Sequence, residues 1–217
     1  MAQFEPFALE RYMSRYEQTV EVNLSESGVH PVQLRELLAG AQGSQDELLD
    51  TPLNYPHVNG TPELRQHIAA LYTGASADHV LVTVGAIEAN YIAIRTMLSP
   101  GDEIVIMRPN YMQIWGVATN HRLAVKTFRL IEAEGWAPDL AELEAAVSPA
   151  TKLIAVCNPN NPTGRALTEA EMDAIVSNAE RVGAWVLADE VYAGAERQST
   201  EQTPSFYGRY DKVLAVG

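Results

Sequence analysis

The sequence predicts an α/β fold: a mostly parallel sheet with helices on both faces. Three observations carry this reading. Short runs rich in β-branched residues recur along the chain, helical stretches with an apolar stripe fall between them, and turn or cap residues such as Thr61-Pro62, Gly85 and the Thr168/Glu171 pair mark the junctions.

The stretch up to Gly60 is polar and broken by Gly28, Pro31, Gly40, Gly43, Pro52, Pro56 and Gly60, with short helical pieces expected only over 7–17 and 31–39. Residues 1–50 therefore read as an arm or part of a small domain, ahead of a large domain over 51–217. From Thr61 the pattern turns regular. Thr61 has the place of an N-cap and Pro62 the first helical position, and Leu64, Ile68 and Leu71 form a stripe ending near Gly74. The run at 79–84 predicts a first strand, and Gly85 turns the chain into a helix carrying Ile87, Tyr91, Ile94 and Leu98. Further strands are expected at 103–107, 124–128, 152–157, 185–188 and 212–216, with helices over 112–120, 140–147 and 169–182. Thr168 and Glu171 have the spacing of a capping box at the start of the last helix.

Composition narrows the function. Fifteen Lys and Arg against 28 Asp and Glu give a net charge of -13, which repels phosphate backbones and argues against a nucleic-acid partner. The single cysteine, Cys157, excludes an internal disulfide and fits a reducing compartment. No apolar run approaches the ~18 residues that cross a bilayer, and the first ten residues lack the basic and apolar regions of a secretory signal. A soluble, cytoplasmic protein with no membrane partner is the expectation. His30, His57, His67, His79 and His121 lack metal-ligand spacing, so no metal site is expected. A Walker loop, G-x-G-x-x-G and G-x-S-x-G are all absent, which argues against nucleotide hydrolysis, dinucleotide binding and an α/β-hydrolase.

Ligands of open α/β sheets bind at the carboxyl ends of the strands, so the residues that follow each strand matter most. Gly85-Ala86-Ile87-Glu88 forms a strand–Gly–helix junction, either a phosphate cradle or a plain turn. Arg108-Pro109-Asn110-Tyr111 puts an aromatic where it can stack on a planar ligand or simply pack. Asn158-Pro159-Asn160-Asn161-Pro162-Thr163-Gly164 is a tight polar loop able to hold an amide at one point. Asp189-Glu190-Val191-Tyr192 places a carboxylate at the mouth of an apolar strand, where a cation or a protonated ring would relieve its burial.

On these segments, together with Asn54-Tyr55-Pro56 through Gly60, the chain resembles the class I/II aminotransferases, the fold-type I enzymes that use pyridoxal 5'-phosphate. The resemblance covers about residues 20–217 and is nearest to the branch of amino-acid aminotransferases and capreomycidine-synthase-like proteins. It implies the large domain of that fold, incomplete in this chain. It also implies that Asp189 pairs with the pyridine nitrogen, that Asn161 and Tyr192 donate to the cofactor's phenolate oxygen, and that Tyr111 stacks on the ring. The amides of Gly85, Ala86 and Ile87 would hold the phosphate, and Gly28 would contact the substrate carboxylate. Tyr55 would reach the phosphate of a neighbouring subunit, which implies a homodimer with shared sites. Tyr12, Asn90, Met112 and Gln113 are candidate neighbours of the substrate pocket.

The resemblance also implies parts that these residues lack. A Ser-x-Ser-Lys-type segment with the cofactor-binding lysine would follow the strand at 212–216, and arginines would take the phosphate and the substrate carboxylate. The chain's lysines are Lys126, Lys152 and Lys212, and Lys212 would lie roughly 15 Å from the catalytic end of its strand at ~3.3 Å per residue. The 217 residues alone are therefore not expected to form an autonomous enzyme. The implied activity of the parent protein is transfer of an amino group between an α-amino acid and a 2-oxo acid. Elimination, replacement or cyclisation on the same cofactor is the alternative within that chemistry, and a non-catalytic module of the same fold is the alternative of another class.

Overall fold

The computed structural model describes residues 4–40, 45–197 and 201–217, so Gly43 lies outside the described residues. The arm carries α1 (Ala8–Tyr16), α2 (Leu34–Gly40) and α3 (Gln45–Leu49), none of which buries a residue. After α4 (Pro62–Ala69) and α5 (Gly85–Met97) the chain runs β1 (Glu103–Arg108), α6 (Gln113–Asn120), β2 (Ala124–Ile131), β3 (Ala137–Pro138) and α7 (Leu140–Ala146). It finishes with β4 (Thr151–Cys157), α8 (Glu169–Val182), β5 (Trp185–Asp189) and β6 (Val213–Val216).

The sheet has the order β3-β2-β1-β4-β5-β6. Every pairing among β2, β1, β4, β5 and β6 is parallel, and only β3 runs antiparallel, against the end of β2. Side chains alternate across this sheet and feed two separate cores. Val105, Met107, Ile154, Val156, Val186 and Ala188 pack with α7 and α8 through Leu143, Met172 and Ile175. Ile104, Ile106, Leu153, Ala155 and Leu187 face the other way, onto Ile94 of α5 and Ala118 of α6. Strands buried on both faces require the near-continuous apolar runs that the sequence displays.

Several elements follow their local signals. Thr61 caps α4 with Pro62 in its first turn. The α8 capping box is complete, Glu171 N–H donating to Thr168 Oγ1 at 3.3 Å and Thr168 N–H to Glu171 Oε2 at 2.6 Å. The helix ends on Gly183 in the left-handed region, at φ 69°.

The expected strand at 79–84 is not one. A 3-10 turn over Ala77–His79 leads into an extended segment that bonds to the stretch before α4, Val82 N–H donating to the Asn59 carbonyl at 3.1 Å. Its β-branched composition favours extension, but a strand also needs a hydrogen-bonded neighbour. The nearest sheet edge, β6, faces it across a groove of about 230 Å³ walled by Leu81, Thr83, Tyr207 and Val216. Conversely, α3 and the two-residue β3 are too short for a periodicity to announce them.

The arm is fastened to the sheet domain rather than packed into it. Asn120 and Glu5 exchange two bonds, Glu5 N–H to Asn120 Oδ1 at 2.8 Å and Asn120 Nδ2 to the Glu5 carbonyl at 2.9 Å. From there the arm climbs along α6 toward the carboxyl ends of the strands.

Candidate active site

Asp189 ends β5, and its residue is only 7% exposed. No side-chain cation meets it among the described residues; two uncharged donors hold the carboxylate. Asn90 Nδ2 donates to Oδ2 at 2.8 Å and the Val191 N–H to Oδ1 at 3.3 Å. Burial raises the Asp189 pKa, and these donors pull against it. Asn90 belongs to α5 and also donates to Gln113 Oε1 at 3.3 Å, while the Gln113 amide donates to the Ile87 carbonyl. A single chain of amides therefore links the start of α5 to the carboxylate. Asn90 and Gln113, expected as neighbours of a substrate pocket, are buried braces of Asp189.

The loop after β4 divides its asparagines by task. Asn158 is buried, with its N–H on the Asp189 carbonyl at 2.8 Å and its Oδ1 accepting from Leu167 N–H at 2.8 Å. Asn160 is buried too: Oδ1 accepts from the Thr163 hydroxyl at 2.7 Å, and Nδ2 donates to the Pro109 carbonyl at 3.1 Å, tying this loop to the one after β1. Asn161 is left with its amide toward the crevice, donating to the Tyr192 hydroxyl at 3.4 Å. The same hydroxyl lies 2.7 Å from Ser27 Oγ of the arm.

Gly85 opens α5 at φ 76°, with no atom within 4 Å of where a Cβ would stand. The N-cap residue Val84 offers no capping side chain, and its N–H donates to the Glu88 carboxylate. The Gly85 N–H donates to the Thr83 carbonyl at 3.0 Å. The next two amides, of Ala86 and Ile87, sit in the first turn, where a helix offers no acceptor of its own. Positive helix end and free amides together suit an anion.

Tyr111 stands half-buried after β1. Its hydroxyl donates to the Glu10 carboxylate, and its ring meets Phe7 edge-on, centroids 5.2 Å apart at 61°. Burial, then Glu10, raises the Tyr111 pKa, and Tyr192 and Asp189 add to the rise as charges sharing the same crevice. Cys157 lies beneath, 1% exposed, its thiol pushed up to about 12 by burial and by Asp189.

Two further candidates stand apart from this cluster, Tyr55 having been expected at a neighbouring subunit's phosphate. Tyr55 is fully exposed, at 101%. Gly28 lies beside Ser27, but its N–H is taken by the Glu26 carboxylate at 2.7 Å, a local bond that closes over two residues. The lysines are elsewhere as well. Lys126 binds Glu103 at 2.7 Å and the Ala146 carbonyl, Lys212 binds the Gly183 carbonyl at 2.9 Å, and Lys152 begins β4. All three are at the amino-terminal edge of the sheet, opposite Asp189. Glu10 and Ser27 are participants that sequence reasoning missed, because no spacing relates an arm residue to a strand end more than a hundred positions away.

A buried carboxylate, an amide–phenol pair, a half-buried aromatic and the first turn of α5 thus stand at the carboxyl ends of one parallel sheet. The chain belongs to the aminotransferase class I and II family, whose model matches residues 31–217. Pyridoxal phosphate is the cofactor of that family, and the sheet with its helices is the large domain of fold type I.

Two curated relatives illustrate the likeness. Nicotianamine aminotransferase 1 of Oryza sativa subsp. japonica is 31% identical over 75% of this chain and 34% of its own length. The probable N-succinyldiaminopimelate aminotransferase DapC of Mycobacterium tuberculosis is 34% identical over 81% of this chain and 46% of its own length. The chain thus spans between a third and a half of these relatives. Among solved structures, a PLP-dependent aminotransferase from Streptococcus suis matches with TM-score 0.90 and 30% identity over 98% of this chain and 57% of its own, a span that takes in the arm. Aspartate aminotransferase from Thermus thermophilus matches 75% of this chain at 24% identity and TM-score 0.69, a likeness of fold.

Proposed function

We propose that this chain carries the cofactor-binding elements of a pyridoxal-phosphate-dependent aminotransferase that moves an amino group between an α-amino acid and a 2-oxo acid. The observation that carries the reading is Asp189: a buried carboxylate at the end of β5, met only by uncharged donors among the described residues, with the Asn161–Tyr192 pair on the neighbouring strand-end segments. Such a group is costly unless something positive meets it, and a ring nitrogen that keeps its proton does so. Pyridoxal phosphate, when bound, supplies the electron sink for the bonds at the substrate α-carbon.

The chain's own residues then have definite tasks. Asp189 holds a proton on the ring nitrogen, and Asn90 holds Asp189. Asn161 and Tyr192 donate toward the phenolate oxygen, which favours its charged form. The N–H groups of Ala86 and Ile87 bind the phosphate, with Gly85 letting the backbone turn ahead of them. Tyr111 lies against the ring. Gly28 takes the substrate carboxylate once Glu26 gives way, and Tyr55, exposed on its segment, reaches the phosphate of a second subunit in a homodimer. The covalent anchor is not supplied by Lys126, Lys152 or Lys212, which face the wrong edge. A cytoplasmic role in amino-acid metabolism accords with this chemistry.

The test is to load the purified full-length parent protein with pyridoxal phosphate and add amino acids one at a time. Conversion of the aldehyde-form absorption to the amine form, reversed by a 2-oxo acid, is expected. No spectral change with any amino acid overturns the reading.

A further inference from the structure

We propose that Glu10 of the arm is a positioning residue for Tyr111: its carboxylate fixes the phenol and enriches the ring in electrons, and so tightens the protein's grip on a protonated heterocycle. The inference rests on the pyridoxal phosphate reading of the site.

Geometry carries it. Phe7 is the N-cap residue of α1 and Glu10 lies in its first turn, so both stand at the same end of the helix. That end takes hold of Tyr111 twice, Phe7 at the ring edge and Glu10 at the hydroxyl. The helix is kept in place from below by the paired bonds between Glu5 and Asn120, at 2.8 and 2.9 Å. Farther along the arm, Ser27 meets the Tyr192 hydroxyl at 2.7 Å. The arm, whose three helices bury nothing of their own, thus contacts the two tyrosine hydroxyls of the crevice.

Chemistry gives the contact its purpose. A phenol donating to an ionised acceptor makes a stronger, more directional bond than one donating to water. The donated hydrogen leaves the phenol ring more negative, and a ring face attracts a cation in proportion to its electron density. A protonated pyridine ring lying on Tyr111 is such a cation, kept protonated by Asp189 on its edge. Glu10 therefore acts on the cofactor through Tyr111 without touching it.

The experiment measures pyridoxal phosphate affinity for the wild type, Glu10→Gln, Tyr111→Phe and the double variant, with exposed Glu21→Gln as a charge control. Each single change at the pair should weaken binding roughly five- to tenfold. The double should be no weaker than Tyr111→Phe alone, because both remove one interaction. In the cofactor-free protein, the ultraviolet signal of phenol ionisation assigned by difference to Tyr111 should move to lower pH in Glu10→Gln. An unshifted Tyr111 signal, unchanged affinity in Glu10→Gln, or fully additive losses each overturn the inference. If pyridoxal phosphate fails to bind the wild type, the functional reading falls with it; if it binds and Glu10→Gln matches the wild type, only the role of Glu10 falls.

Discussion

Asn90, buried in the middle of α5, donates its amide to the Asp189 carboxylate at 2.8 Å, while its own carbonyl oxygen is buried without a hydrogen-bond partner. One helix therefore both opens the anion site at its first turn and braces, from its second, the carboxylate at the other end of the berth. Removing the brace by Asn90→Leu should lower pyridoxal phosphate affinity by about tenfold, an order of magnitude set by the loss of a buried bond to a charge. Titrating the cofactor by absorbance checks it, and affinity equal to wild type would refute it.

Asp189→Asn should trade binding for stability. Burial raises the Asp189 pKa in the fold, so the folded state favours the protonated carboxyl. Its contribution to stability is full below the ordinary aspartate range, about pH 4, and is lost as pH rises through the raised value. The neutral amide escapes that loss. Cofactor-free Asp189→Asn should melt roughly 2–4 °C above wild type at pH 7, with the gap closing in acid, while its pyridoxal phosphate affinity collapses. Thermal melts across pH decide it.

Asn160→Ala should loosen the site from a distance. Its side chain accepts from Thr163 and donates to the Pro109 carbonyl, holding two strand-end loops in register. The expected cost is about 1–3 kcal/mol of stability, since the half-buried Pro109 and Thr163 partners lose their bonds, together with weaker cofactor binding. Denaturant unfolding alongside a binding titration separates the two effects.

Thr168→Ala offers the contrast. It removes the α8 capping box, whose two bonds run only between Thr168 and Glu171, and should cost about 1 kcal/mol with pyridoxal phosphate affinity unchanged. A change in affinity here would mean that stability, not geometry, governs binding.

Cys157 should be inert in the fold. Its thiol is buried and pushed up to about 12, so almost no thiolate exists near neutrality. Iodoacetamide at about pH 8 should leave the native protein unmodified and label it fully in denaturant; mass spectrometry reads the difference.

The sheet was legible because its signals are local. Runs such as those in β1, β4 and β5 are apolar on both faces, and the α8 boundaries are written in Thr168, Glu171 and Gly183. The segment at 79–84 has strand composition too, yet pairing belongs to the neighbour as much as to the segment, and β6 does not supply it. The same limit applies at the site. The motifs pointed to Asp189, Asn161, Tyr192 and Tyr111, but not to the Thr83 carbonyl that occupies the Gly85 amide or to Glu26 on the Gly28 amide.

By itself, then, the order of residues determined which side chains stand at the strand ends, since helix and strand periods and turn chemistry act over a few positions. What each of those side chains touches was decided only when the chain closed on itself. Asn90 reaches Asp189 across 99 positions, Glu10 reaches Tyr111 across 101 and Ser27 reaches Tyr192 across 165, contacts made by packing and desolvation that no local pattern encodes.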